Sequence, residues 1–148
     1  MIKKFEGKYR FLSNFYPSRI EFVHVNERGD ITGVWAPTVE HAYQSLKTEN
    51  LNECLKVLSA HTPGEAKNLG RKVTMRPDWD NIKLPVMENL LKRKFSDNVL
   101  KEQLLNTKDE ELIEGNYWND TYWGVCRGVG QNNLGKLLMK VRNEIRKS

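Results

Sequence analysis

Arg19-Ile20-Glu21-Phe22-Val23-His24-Val25-Asn26-Glu27-Arg28-Gly29-Asp30-Ile31-Thr32-Gly33-Val34-Trp35-Ala36-Pro37-Thr38-Val39-Glu40-His41-Ala42-Tyr43-Gln44-Ser45-Leu46-Lys47 contains the change of period that decides the fold. Arg19 to Asn26 and Ile31 to Trp35 are rich in β-branched and aromatic residues, and the turn-forming Asn26 to Asp30 separates them, which predicts a β-hairpin. Beyond Pro37 the period becomes helical. Thr38 can accept a hydrogen bond from the first free backbone N–H groups, and Val39, Ala42, Tyr43 and Leu46 then make one apolar stripe.

Working outward, Leu51 to Leu58 reads as a second helix, with Leu51, Cys54, Leu55 and Leu58 in step. Thr62-Pro63-Gly64-Glu65 combines a capping box with proline at the first helical position and starts a short helix through Leu69. A longer helix is expected from Asp78 to Phe95, with Met87, Leu90, Leu91 and Phe95 on one face and Pro85 giving a kink or a late start. Asp97 can cap another helix to Asn106, Glu111 to Gly115 reads as a short strand, and a last helix begins at Asn133. The expected fold is α+β: one domain over residues 1–148, mostly helical, with a small sheet from the N-terminal hairpin and the segment near residue 113.

With 29% charged and 39% hydrophobic residues in 148, the composition is that of a globular chain able to build a core. No apolar run approaches the roughly 20 residues of a membrane span, and Met1-Ile2-Lys3-Lys4-Phe5 leads into polar sequence, so a cytoplasmic location is expected. Two cysteines and the scattered His24, His41 and His61 lack metal-ligand spacing, and neither a metal nor another cofactor is expected. The net charge of +5 favours anionic partners, phosphate or nucleic acid. Lys136, Lys140, Arg142, Arg146 and Lys147 stud the last helix, either as a solvated face over the Leu134/Leu137/Leu138/Val141/Ile145 stripe or as a surface for DNA.

Several residues carry chemistry. Glu40, Gln44 and Lys47 align about 100° from the centre of the apolar stripe, so a carboxylate, an amide and an amine flank the core, where partial desolvation shifts pKa values towards neutrality. The alternative is an ordinary solvated edge. Lys94 falls within an apolar stripe, and either snorkels past the core or directs its ammonium at an anion. Arg71, after a glycine able to end a helix, can clamp an anionic oxygen, and Trp79 is either a stacking platform or core. Glu114 and Asp120 lie in a stretch with Tyr117, Trp118, Tyr122 and Trp123, which suggests an acid or base beside a flat ring. The glycines at 124, 128, 130 and 135 open onto the last helix, whose free N–H groups can hold a phosphate unless the loop is simply tightly packed.

The order and wording of these segments resemble one family across nearly the whole chain. Phe11-Leu12-Ser13-Asn14-Phe15, Glu40-His41-Ala42-Tyr43-Gln44 with Lys47, Gly70-Arg71, Trp79, Met87, Lys94-Phe95, Leu112-Ile113-Glu114, Asp120, Trp123-Gly124 and Gly130-Gln131-Asn132-Asn133-Leu134-Gly135 with Leu138-Met139 look like the NADAR, or YbiA-like, pattern. Val125-Cys126-Arg127-Gly128 and residues 24–34 depart from it. The resemblance implies the YbiA-like fold and cleavage of a ribose C1′–N bond. Its first implied substrate is ADP-ribose on a nucleobase, notably guanine in DNA. The second is a phosphorylated ribosylamino-pyrimidine of riboflavin synthesis, and a non-catalytic ADP-ribose-binding module is a third possibility. It further implies acid–base and cation-stabilising roles for Glu40 and Asp120, support from Glu114, and attack by Lys47 on C1′ of a ring-opened sugar to give a Schiff base. Asn14, Phe15, Gln44, Arg71, Lys94 and Asn132 would then hold ribose and phosphate, with Trp79, Trp123 and Gly124 beside the base.

Overall fold

The computed structural model describes residues 1–148. The chain gathers into two compact units: a central unit, Asn14–Lys94, and a terminal unit made of both chain ends, Met1–Ser13 with Phe95–Ser148.

The central unit begins with the expected hairpin. Strands β1 (Ile20–Val25) and β2 (Ile31–Ala36) pair antiparallel, with Ile20 opposite Ala36 and Val25 opposite Ile31. The turn forms because Asn26 Oδ1 accepts from the backbone N–H of both Arg28 and Asp30 at 2.9 Å, while Gly29 takes φ +85°. Alternation then buries Ile20, Phe22 and His24.

Helix α1 (Val39–Ser45) follows. Thr38 Oγ1 accepts from the His41 N–H at 3.1 Å, and the His41 ring is hydrogen-bonded to Thr38 Oγ1 at 2.8 Å and to the Ala60 carbonyl at 2.9 Å. The expected stripe is only part of what this helix buries, because every residue from Val39 to Ser45 is buried. Helix α1 packs against β2, α2 (Leu51–Leu58), α3 (Pro63–Gly70) and α4 (Trp79–Lys94), which leaves no solvated face along its length.

In α2 the buried positions are Cys54 and Val57, and Leu55, expected in the apolar stripe, is 44% exposed. Burial pushes the Cys54 thiol up to about 11, as an inert core thiol requires. Helix α3 starts as its sequence dictates, with Pro63 in the first turn and Thr62 Oγ1 accepting from the Glu65 N–H at 3.1 Å. Pro85 lies inside α4, which runs through it, and Met87, Leu90, Leu91 and Lys94 are buried.

In the terminal unit a 3-10 helix (Gly7–Leu12), which the sequence reading left unassigned, buries Phe11 and Leu12. Helix α5 (Asn98–Leu105) is capped by Asp97, whose Oδ2 accepts from the Leu100 N–H at 3.0 Å. The segment near residue 113 does not join the hairpin sheet. Ile2 donates to the Glu111 carbonyl at 2.8 Å and Ile113 donates to the Ile2 carbonyl at 2.9 Å, so this segment pairs with the N-terminus instead. A separate parallel pair joins β3 (Gly115–Asn116) to β4 (Val125–Cys126).

Helix α6 (Asn133–Lys147) buries Leu134, Leu138 and Val141 and turns Lys136, Lys140, Arg146 and Lys147 outward. Arg142 is a correction to the expected basic face: it is 5% exposed and donates from Nη1 to Thr107 Oγ1 at 2.9 Å, and burial lowers its pKa. No helix is long and apolar enough to cross a membrane.

Candidate functional site

The central unit brings Asn14, Glu40, Gln44 and Lys47 together, because Glu40 and Gln44 lie one turn apart on α1, Lys47 follows its end near enough for Glu40 to attract it, and the Glu40 N–H donates to the Asn14 carbonyl at 3.1 Å. Glu40 is buried, and its Oε1 accepts from Gln44 Nε2 at 3.4 Å. Two acceptors here have no hydrogen-bond partner although buried: Gln44 Oε1 and Asn14 Oδ1, the amide of Asn14 otherwise donating to Met87 Sδ at 3.6 Å. A buried unpaired acceptor costs about 1–3 kcal/mol, so both call for a donor.

Lys47 lies two residues beyond the end of α1, with Nζ 5.7 Å from the centre of the Tyr43 ring. Tyr43 rests on Trp79, ring centres 5.1 Å apart. Partial burial lowers the Lys47 pKa; Glu40 opposes this by attraction, and Arg71, Lys67 and Lys83 reinforce it by repulsion. The expected edge of carboxylate, amide and amine therefore exists as a desolvated, coupled set.

Gly70 explains how α3 reaches this set. The sequence suggested a glycine that ends the helix, and Gly70 is the last residue of α3, with no positive φ. Its function is close approach: a Cβ there would overlap Gln44 Oε1 and lie 2.7 Å from Gln44 Cδ. Arg71 comes next, exposed, with Nη1 donating to Asn68 Oδ1 at 2.8 Å.

The remaining central residues divide. Lys94 is 1% exposed, and burial lowers its pKa to about 7, with Nζ 5.8 Å from the centre of the Tyr16 ring. Phe15 is exposed. Trp79 is 3% exposed and spends a face on Tyr43, so it supports the Tyr43–Lys47 contact and offers no open platform to a base.

In the terminal unit Glu114, Asp120, Trp123, Gly124 and Asn132 form one hydrogen-bonded loop system. Asn116, absent from the sequence reading, is its hub: Nδ2 donates to Glu114 Oε1 at 3.0 Å and to the Asp120 carbonyl at 2.9 Å, and Oδ1 accepts from the Asp120 N–H at 3.1 Å. Asp120 Oδ1 accepts from the N–H groups of Tyr122 at 3.1 Å and Trp123 at 2.9 Å, and so shapes the turn carrying both aromatics, which meet edge to face at 4.9 Å. Gly124 is required because a Cβ would overlap Glu114 Oε1 and the Glu114 carbonyl.

Two expectations are corrected here. Asn132 does not present its amide to a ligand: Oδ1 accepts from the Glu114 N–H at 2.9 Å and Nδ2 donates to the Leu112 carbonyl at 2.9 Å. The start of α6 is likewise no phosphate cradle, since the N–H groups of Gln131, Asn132, Asn133 and Leu134 donate to the carbonyls of Thr121, Gly124, Tyr122 and Trp123. Gly124, Gly130 and Gly135 serve tight packing, whereas Gly128 lies in open space with φ +77°.

The site thus sets a buried carboxylate one turn from a buried amide and beside an amine of lowered pKa. The model of the NADAR domain matches residues 2–146, and the chain belongs to that family. It is 39% identical over 145 residues to an N-glycosidase of Nostoc punctiforme, covering 93% of this chain and 86% of that protein. It is 37% identical over 144 residues to a riboflavin biosynthesis protein of Vibrio vulnificus, covering 95% of this chain but 36% of that longer relative. The NMR structure of Escherichia coli YbiA superposes with a TM-score of 0.79 at 30% identity, covering 99% of this chain and 86% of YbiA.

Proposed function

We propose that this chain is an N-glycosidase that hydrolyses the ribose C1′–N bond of a phosphorylated riboside, with Glu40 and Lys47 as its catalytic residues. The observation that carries the reading is the desolvated Glu40/Gln44/Lys47 face with two buried acceptors lacking donors, Asn14 Oδ1 and Gln44 Oε1. Acceptors of that kind suit ribose hydroxyls, and an amine of lowered pKa is a nucleophile at neutral pH.

The lone pair of the glycosidic nitrogen opens the sugar by expelling O4′, giving an iminium at C1′ while O4′ takes a proton. Lys47 Nζ, as the free amine, adds to C1′. Glu40 relays a proton from Nζ to the glycosidic nitrogen, the C1′–N bond breaks, and a lysine iminium remains. Water then adds to C1′, a proton passes to Nζ, the amine departs, and the aldehyde closes to the phosphorylated ribose. Glu114 and Asp120, first read as acid–base residues, act in this proposal as positioning residues of the Tyr122–Trp123 turn, because Asp120 Oδ1 is engaged by two backbone N–H groups and Glu114 by Asn116.

Two relatives named riboflavin biosynthesis proteins align with 90% or more of this chain, which favours a free ribosylamino-pyrimidine phosphate over the ADP-ribosylated guanine that the sequence put first. The net charge of +5 and the exposed Tyr117 and Trp118 favour the nucleic-acid substrate as a second reading. Base release from each compound, followed chromatographically with wild type and E40Q, tests both. Release of the pyrimidine alone, lost in E40Q, is expected; release of guanine alone overturns the substrate, and release of neither overturns the glycosidase.

A further inference from the structure

Lys47 lies outside the helix that carries Glu40 and Gln44, so helical geometry alone does not hold its backbone. Its own N–H reaches the Gln44 carbonyl at 3.3 Å, the long end of a hydrogen bond. The shorter bonds to Lys47 and Thr48 come from places distant in sequence. The Arg76 N–H donates to the Lys47 carbonyl at 2.7 Å. From β1, the His24 Nε2 meets the Thr48 carbonyl at 2.8 Å. From α2, Glu53 Oε1 accepts from Thr48 Oγ1 at 2.7 Å, and the same carboxylate accepts from the Thr74 N–H at 3.1 Å and from Thr74 Oγ1 at 3.3 Å. Glu53 therefore ties Thr48 to the segment that leads into Arg76, and so supports the Arg76 bond to Lys47 as well.

Packing and capping do not account for either side chain. A carbonyl only accepts, so the His24 proton sits on Nε2, which leaves Nδ1 as a buried acceptor without a partner. What histidine offers here over an apolar side chain is the Nε2–H for Thr48. Asn50 and Glu53 have the spacing of a capping box, and Asn50 Oδ1 does accept from the Glu53 N–H at 2.9 Å. The reciprocal bond is missing, because the Asn50 N–H donates to Thr48 Oγ1 at 3.1 Å and the Glu53 carboxylate is spent on Thr48 and Thr74.

We infer that His24 and Glu53 are positioning residues for Lys47: from β1 and α2 they fix the backbone of Lys47 and Thr48, so that Nζ stays over Tyr43 and beside Glu40. Without that hold the amine swings into water, away from the carboxylate, and regains the protonation of an ordinary lysine. The consequence for turnover rests on the N-glycosidase reading, whereas the hold on the amine is measurable without it.

The test compares the full-length wild type with H24M and E53A, which remove the bonds to Thr48, and with H24Q and E53Q, which keep a donor for its carbonyl and an acceptor for its hydroxyl. D97A, which removes the cap of α5 in the terminal unit, controls for lost stability. Two readouts are taken: steady-state release of base from the ribosylamino-pyrimidine phosphate, and acetic anhydride labelling across pH, with the extent at Lys47 read by peptide mass spectrometry. In H24M and E53A kcat is expected to fall about tenfold with KM within about twofold, and the labelling midpoint of Lys47 to rise by about one pH unit. Both readouts recover in H24Q and E53Q and stay at wild-type values in D97A. Should H24M fail to fold, E53A decides, because Glu53 is only half-buried and its partner Thr74 is exposed. An unmoved labelling midpoint in E53A, wild-type kcat in E53A, or equal changes in D97A would overturn the positioning role. A shifted midpoint alongside a wild type that releases no base would leave the hold on Lys47 standing and remove the glycosidase.

Discussion

Gly70→Ala tests the α1–α3 junction through the sign of its effect. Alanine within a helix is ordinarily more stable than glycine by about 1 kcal/mol, and Gly70 has no positive φ that alanine would strain. In open space the substitution would therefore stabilise. Here the new methyl would overlap Gln44 Oε1 and come within 2.7 Å of Cδ and 2.9 Å of Cβ, in a region where Gln44 is buried and bonded to Glu40. Overpacking of this kind costs about 1–3 kcal/mol, so a net loss of about 1–2 kcal/mol is expected, read by urea denaturation and by Tm, at about 2–4 °C for each kcal/mol. Displacing Gln44 also moves the Glu40 contact, so base release should fall with stability. Trimming the clashing partner in G70A/Q44A should recover much of the stability relative to the single variants, with a coupling of about 1 kcal/mol. A G70A protein as stable as wild type or more so, or strictly additive effects, would refute the close approach as the reason for the glycine.

The other predictions concern buried charge and turn geometry. The Lys94 pKa of about 7 lies below its unfolded value, so unfolding takes up a proton between about pH 7 and 10.4 and stability rises with pH across that window, the penalty being full below it. K94M should thus stabilise the protein by about 1–3 kcal/mol at pH 6 and by much less at pH 9; destabilisation of equal size at both would contradict the assignment. Asparagine can accept the N–H groups of Tyr122 and Trp123 as Asp120 does, so D120N should keep kcat within about threefold while D120A loses stability by about 1 kcal/mol or more. Loss of turnover in a stably folded D120N would restore an acid–base role.

Local chemistry made much of the fold legible. Thr38, Thr62 and Asp97 cap the helices they were expected to cap, because a side-chain oxygen before a helical run can satisfy an N–H that has no other partner. What escaped depended on contacts distant in sequence. A six-residue 3-10 helix is too short to show a period. Helix α1 is buried all round because other elements enclose it, so its polar residues could not be read as buried from the helix alone. Arg142 looked like surface charge until Thr107 was brought to it. In the site, the Glu40/Gln44/Lys47 alignment followed from helical spacing, but the orphaned amide oxygens and the roles of Asn116 and Asn132 are set by three-dimensional partners.

The catalytic claim is tested most directly by incubating enzyme and riboside with borohydride and weighing the protein by mass spectrometry. Reduction of the lysine iminium should leave one ribosyl phosphate-sized adduct, mapped to the peptide containing Lys47, with a yield that rises with pH as the amine loses its proton. K47A should give neither adduct nor base release. An adduct-free wild type that still turns over, or a K47A protein with full activity, would contradict the lysine as nucleophile.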